Sequence, residues 1–220
     1  MRVHPALPAL LLTGLLTACA GQQPLHITHY SFTVPAVEAA PAPKFNVIFV
    51  RDYYVNPAYE DKLFDYRTGE LTYESDFYHQ YALFPHTQFT TLTRIILQKS
   101  GLFKKVLLPG SAQLSDYVLE SNVSELYADF RDPRQPVTRL TISFHLVYHP
   151  PGKSGAHPTW FKQTYTQVIP LRRRTADEVA AAWNTAYTNI MLNLVRDLAG
   201  LTLPPPDADA ETGLTTDEHR

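Results

Sequence analysis

The chain has 220 residues, 45% of them hydrophobic and 18% charged, with 19 Lys+Arg against 21 Asp+Glu for a formal net charge of −2. A near-neutral chain without a dominant basic run argues against nucleic acid as a partner and against purely electrostatic membrane binding. The length suits one domain with tails, large enough to bury a core without cross-links, and the single cysteine has no internal disulfide partner.

The chain opens with Arg2 and His4, then an apolar run from Leu7 to Leu16. That run is shorter than the roughly 20 apolar residues needed to span a bilayer, and it has the length of a signal-peptide core. It ends in Leu16-Thr17-Ala18-Cys19, which resembles the bacterial lipobox. The resemblance implies cleavage between Ala18 and Cys19, a diacylglyceryl group on the Cys19 thiol and acylation of the new amino terminus. Three acyl chains, at roughly 0.8 kcal/mol per buried methylene, hold a protein on a membrane essentially permanently. The plainer alternative is an idle thiol in an ordinary secretory signal cut a few residues later. Ala20-Gly21-Gln22-Gln23, rather than Asp, follows the cysteine. By the lipoprotein sorting rule this implies the periplasmic face of the outer membrane.

Four regions follow: a signal peptide over 1–18, a lipidated tether over 19–43 with a short strand at 29–33, a domain over 44–200, and a Pro-rich acidic tail over 201–220 expected to be disordered. Within the tether, Pro35 to Pro43 reads as a Pro/Ala spacer. Phe45 to Val50 is a nearly continuous apolar, β-branched and aromatic run, expected as a strand buried on both faces. Arg51 to Asp61 is polar and tyrosine-rich, with a turn at Asn56-Pro57. Two alternating runs, 62–67 and 70–75, flank Thr68-Gly69 and predict a hairpin.

Pro85 fits the first turn of a helix. Phe89, Leu92, Ile95 and Ile96 follow at helical spacing, and Gly101 stops it. Phe103 to Leu108 predicts a short strand. Asp116 to Phe130 predicts a long one whose alternation breaks at Leu126, so a bulge is expected near Glu125. Val137 to His149 alternates cleanly. Leu140, Ile142, Phe144, Leu146 and Tyr148 share one face, while Arg139, Thr141, Ser143, His145 and Val147 share a wet or partner-facing one. Trp160 to Pro170 completes an antiparallel meander. Thr175 and Glu178 have capping-box spacing, ahead of a helix whose buried stripe is Val179, Trp183, Ala186, Ile190 and Leu194. The expected fold is α+β: a mainly antiparallel sheet of five to seven strands with two helices packed on one face.

Fragments that suggest catalysis fail on inspection. Gly152-Lys153-Ser154 lacks the upstream glycine of a P-loop, since Val147 holds that position. His145 and His149 lie about 13 Å apart on a strand, too far to share a metal. No metal or cofactor is expected, and the chain reads as no enzyme. Arg172-Arg173-Arg174 is either a solvated loop cluster or a contact for lipid head groups or an acidic partner. Residues 53–84 hold ten aromatic residues, against 12% aromatic for the whole chain. Most are expected in the core. Tyr53, Tyr54 and Tyr59 lie in the 51–61 loop and are the candidate partner-binding anchors, because tyrosine joins a large apolar body to a polar tip.

The order of several short motifs resembles the ABC-type transport auxiliary lipoproteins, the PqiC-like family. His29-Tyr30-Ser31-Phe32 stands where the family has an early Tyr-Tyr strand, and Tyr66-Arg67 matches a Tyr-Arg step in the hairpin. Tyr81-Ala82-Leu83-Phe84-Pro85 leads into the first helix. Ser100-Gly101-Leu102-Phe103 leaves it, and Asp116-Tyr117-Val118-Leu119 starts the long strand. Tyr81 stands where a tryptophan is usual, and His29 where a tyrosine is. The resemblance covers roughly residues 19–200. It implies a lipid-anchored periplasmic partner of an MCE-type lipid transport system, docking an MCE-domain protein or handing off lipid at the outer membrane, with self-association left open. A rival reading is a lipoprotein activator of a peptidoglycan synthase; another is a hydrolase with an unrecognised site.

Overall fold

The computed structural model describes residues 26–149 and 159–202. In chain order the strands are β1 (Thr28–Tyr30), β2 (Phe45–Val50), β3 (Tyr54–Val55), β4 (Leu63–Arg67), β5 (Tyr73–Tyr81), β6 (Phe103–Val106), β7 (Tyr117–Asp129), β8 (Val137–Tyr148) and β9 (Thr159–Pro170). The helices are α1 (Pro85–Ser100) and α2 (Ala176–Gly200), with a 3-10 turn at Pro57–Tyr59. The predicted signal peptide, Cys19, residues 150–158 and the tail beyond Thr202 lie outside the described residues.

The thirteen-residue β7 is the axis of the sheet. One edge pairs antiparallel with β8 over its whole length, and β9 extends β8 in the same sense, which gives the expected meander. The other edge carries three short strands in succession, all parallel to it: β2 at Ile48–Val50, β3 at Tyr54–Val55 and β4 at Tyr66–Arg67. Beyond β2 lies β6, also parallel. Beyond β4 lie β5, antiparallel, and then β1, parallel. The sheet is therefore a curled, mixed one of nine strands, not the mainly antiparallel sheet of five to seven expected from the sequence. Local turn signals reveal hairpins. The parallel pairs join strands far apart in the chain through crossovers, and no local signal marks them. The ladder shift between Val123 and Glu125 falls where the broken alternation predicted a bulge.

Both helices cover the apolar face of this sheet. On β8, Leu140, Ile142, Phe144 and Leu146 are fully buried beneath them. Every residue of the predicted α2 stripe is buried too, and Trp183 stands edge-on to Phe64 with ring centroids 4.9 Å apart. α1 starts at Pro85 and ends as foreseen at Gly101, whose φ of 64° is one that side chains with a Cβ rarely adopt. The capping box at α2 does not form. The Thr175 side chain makes no cap bond, and Glu178 reaches past it to accept from the Arg172 N–H at 3.0 Å.

The segment read as a tether over 19–43 is described from residue 26. From Thr28 onward the chain is built into the domain. β1 pairs with β5, Phe32 is buried against Phe89 and Tyr187, and the Phe32 N–H donates to Gln88 Oε1 at 3.1 Å. Thr33 binds Asn184 of α2, and the Ala40 N–H donates to the Ser100 carbonyl at the end of α1. The 31–44 segment forms neither helix nor strand, as its prolines predict, yet it seals the seam between the helices.

Candidate docking surface

The helices leave one face of the β7–β8–β9 meander uncovered. Strand alternation sends Glu120 and Asn122 of β7, Ser143 and His145 of β8, and Lys162 and Thr164 of β9 to that face. The register aligns them in rows: Glu120–His145–Lys162, then Asn122–Ser143–Thr164, then Glu125–Thr141–Thr166. Arg51 closes the first row, with its guanidinium 2.6 Å from the Glu120 carboxylate. In the last row Thr141 donates to Glu125 at 2.6 Å, so the Thr166 hydroxyl, 3.0 Å away, must donate to Thr141. Ser143 and Thr164 are bonded at 2.8 Å. These ties hold the face rigid, which limits the entropy lost when a partner binds.

At the rim of this face, Arg51, Asp52 and Tyr54 join the first two rows to enclose a groove of ≈ 560 Å³. Tyr54, 60% exposed, is the large aromatic residue on it. The groove carries both signs of charge, and two pairs of its side chains, Arg51–Glu120 and Ser143–Thr164, are bonded to one another. One exposed aromatic ring thus stands among polar and charged side chains, a composition that bound interfaces also combine.

Of the three predicted anchors, only Tyr54 reaches this surface. Tyr53 is 4% exposed; its hydroxyl lies 2.7 Å from Thr93 Oγ1, and its N–H donates to Thr90. Burial pushes its phenol above the ordinary range, while the Thr93 and Ser121 hydroxyls work against that rise. Tyr59 is buried as well, stacked on Tyr127 at 5.8 Å. The expectation of a tyrosine-presenting loop is thus corrected at two of three positions. The segment folds back onto β7 as β3 and the 3-10 turn, so alternation over only three residues buries Tyr53 and Val55 and exposes Tyr54. Across the ten aromatics of 53–84, Tyr53, Tyr59, Phe64 and Tyr81 are core, Tyr66 is half-buried, and Tyr54, Tyr73, Phe77, Tyr78 and Phe84 are exposed.

Arg172, Arg173 and Arg174 lie away from this face, in the turn between β9 and α2, and all three are exposed. Each has structural ties: Arg172 through its backbone to Glu178, Arg173 by an ion pair to Glu178 at 3.6 Å, and Arg174 by a bond to the Phe130 carbonyl with its guanidinium 5.1 Å over the Phe130 ring. Glu120 and Lys162 were not singled out in the sequence. Their alternation was readable, but their neighbours depend on the register of three strands.

Among the described residues, no group of three or more His, Cys, Asp or Glu is placed to hold a metal ion. Among the same residues, no helix is long and apolar enough to cross a membrane.

No protein-family model matches the sequence, and no curated protein matches it. Solved structures do resemble the fold. A Xanthomonas campestris protein of the DUF330 family aligns with a TM-score of 0.64 at 20% identity, over 76% of this chain and 92% of that one. A protein described only as uncharacterized aligns at 0.56 with 11% identity, over 78% and 99% of the two chains. A minor lipoprotein from Acinetobacter baumannii reaches only 0.33 at 12% identity, over 73% and 94%. The first two share this chain's fold. At such identities the likeness extends to the fold and not to function.

Proposed function

We propose that this protein is a lipid-anchored periplasmic auxiliary component of an MCE-type ABC lipid transport system. Held at the outer membrane through Cys19, it docks an MCE-domain protein or passes lipid on, and it makes or breaks no bond. The observation that carries the docking role is the helix-free face of the meander, hydrogen-bonded into a fixed surface and carrying exposed Tyr54 beside the Arg51–Glu120 pair.

The motif order adds support, because each motif sits at a junction of the fold. Arg67 ends β4 and donates to the Gly69 and Glu70 carbonyls across the hairpin turn. Tyr81 to Pro85 links β5 to α1, and Ser100 to Phe103 links α1 to β6. The Asp116 carboxylate accepts from the Val47 N–H at 3.0 Å, which fixes β7 beside β2. The test is a titration of the soluble domain of a co-encoded MCE protein against this protein and its Tyr54→Ala variant. Saturable binding that the variant weakens about tenfold, or ~1.4 kcal/mol, is expected of an anchor residue. Binding to a peptidoglycan synthase instead would replace this reading with the activator one.

A further inference from the structure

β5 departs from its ladder at one place. Asp76 pairs with Phe64 and Gln80 with Leu63, so Phe77, Tyr78 and His79 are looped out between consecutive residues of β4. The loop is held by one carboxylate. Asp76 accepts from the Tyr78 and His79 N–H groups, from the Tyr66 hydroxyl at 2.9 Å, and lies 2.7 Å from His79 Nδ1. Burial works to raise the Asp76 pKa, but the hydrogen bonds from His79, Tyr66 and the Tyr78 N–H outweigh it and hold it below the ordinary carboxylate range. This construction presents two rings to solvent. Phe77 is 52% and Tyr78 48% exposed, and they meet edge to face at 5.8 Å. A bulge fastened by four contacts that turns aromatic rings outward has no use in the core, and such devices serve to aim side chains.

Its position indicates what the rings meet. β1 runs parallel to β5 with Thr28 beside His79, so the chain before Thr28 leads back toward Tyr78 and Phe77. From Cys19 to Thr28 there are nine peptide steps, at most about 30 Å when fully extended. A domain of this size is about 40 Å across. An anchor at Cys19 therefore holds Thr28, and the Phe77–Tyr78 side beside it, within about 30 Å of the bilayer, less than the width of the domain. Leu71, 96% exposed at the tip of the β4–β5 hairpin, lies farther toward the same end.

The arginine turn before α2 belongs to this end as well. Tyr30 of β1 donates to Asp177 in the first turn of α2 at 2.7 Å, and Tyr66, which binds Asp76, stacks on the Phe130 that Arg174 covers. Much of that charge is matched locally: Arg131 by Asp129 and Glu70, Arg173 by Glu178. The apolar rings, not net charge, distinguish this surface, and aromatic residues favour the depth of the lipid head groups.

We infer that the Phe77–Tyr78 bulge is the surface by which the domain rests on the bilayer holding its anchor. This rests on the lipoprotein reading of Cys19. It orients the domain along its strands: the register sets the bulge level with about Leu126 of β7, and Tyr54, beside Asn122, lies about four residues or 13 Å farther from the Asp129 end.

The test uses the full-length lipidated protein in phospholipid vesicles. Cys19 is the only cysteine, so in the acylated protein a cysteine introduced by Tyr78→Cys or, as a control, Thr164→Cys is the sole thiol open to a fluorophore. The label at 78 is expected to be quenched by nitroxide lipids, equally with and without anionic lipid, while the label at 164 is not. If the vesicles float with the protein and the label at 78 responds only to an aqueous quencher, the inference is overturned and the anchor stands. A label at 78 shielded from both quenchers means that protein covers the bulge, a second copy or another partner, which also overturns it. If the mature protein carries no acyl mass and does not float, the anchor reading itself fails and the inference falls with it. Thermal melts of the labelled variants confirm that each is folded.

Discussion

The hydroxyls of Tyr53 and Thr93 meet at 2.7 Å in the buried seam between β3 and α1, while the next residue, Tyr54, points into solvent. One step along the chain separates a core residue from a surface one, and the two substitutions should differ accordingly. Tyr53→Ala is expected to cost about 3–5 kcal/mol in chemical denaturation, as truncation of a large buried aromatic does. Tyr53→Phe should cost about 1 kcal/mol, because Thr93 keeps a contact with the Tyr187 hydroxyl at 3.2 Å. Tyr54→Ala should lie within about 0.5 kcal/mol of wild type. A Tyr54→Ala loss as large as that of Tyr53→Ala would remove Tyr54 from the surface.

The lipobox predicts the behaviour of Cys19→Ser. The variant should stay uncleaved or become soluble, read by membrane fractionation and by the mass of the mature N-terminus. If it partitions with membranes to the same extent as wild type, Cys19 is not the anchor.

Trp183 and Tyr81 form a second pair, with ring centroids 5.6 Å apart. Both are buried, and neither Trp183 Nε1 nor the Tyr81 hydroxyl has a hydrogen-bond partner among the described residues. Trp183→Ala should cost about 3–5 kcal/mol through loss of contact and the cavity left behind. Tyr81→Phe should be neutral or slightly stabilising, since it removes a buried polar atom without a partner among the described residues. A loss above about 1 kcal/mol for Tyr81→Phe in urea melts would reveal a partner for that hydroxyl.

Asp65 and Asp76 should leave opposite signatures in stability against pH. Burial raises the Asp65 pKa despite the Ser75 hydroxyl bonded to it at 2.7 Å. The native state therefore holds this proton more tightly than the unfolded chain, and stability from this group is lost as pH rises through the raised value. Asp76 is held low, so its contribution is present above the ordinary carboxylate pKa and is lost as pH falls through the native one. Asp65→Asn should raise the melting temperature at pH 7 with a gain that vanishes in acid. Asp76→Asn should lower it at pH 7 with a loss that vanishes in acid. Parallel pH profiles for the two variants would contradict these assignments.

Local sequence determined much of this protein by itself. The Pro85 start and Gly101 stop of α1, the α2 stripe through Trp183, the meander and its bulge beside Glu125 all follow from periodicity and from residues with fixed backbone preferences. Such signals act over a few residues and need no knowledge of what lies across the fold. The lipobox is also a contiguous pattern, and it carries the anchoring proposal without help from the tertiary structure. The partners of β7's second edge were decided only by tertiary structure. β2, β3 and β4 compete for that edge from positions scattered over twenty residues, and packing, not turn chemistry, chose their parallel order. That choice buried Tyr53 and Tyr59, exposed Tyr54, opposed Glu120 to His145 and Lys162, and looped Phe77 and Tyr78 out of β5. A tyrosine's fate on a two-residue strand depends on which neighbour that strand finds, and nothing local in the sequence specifies the neighbour.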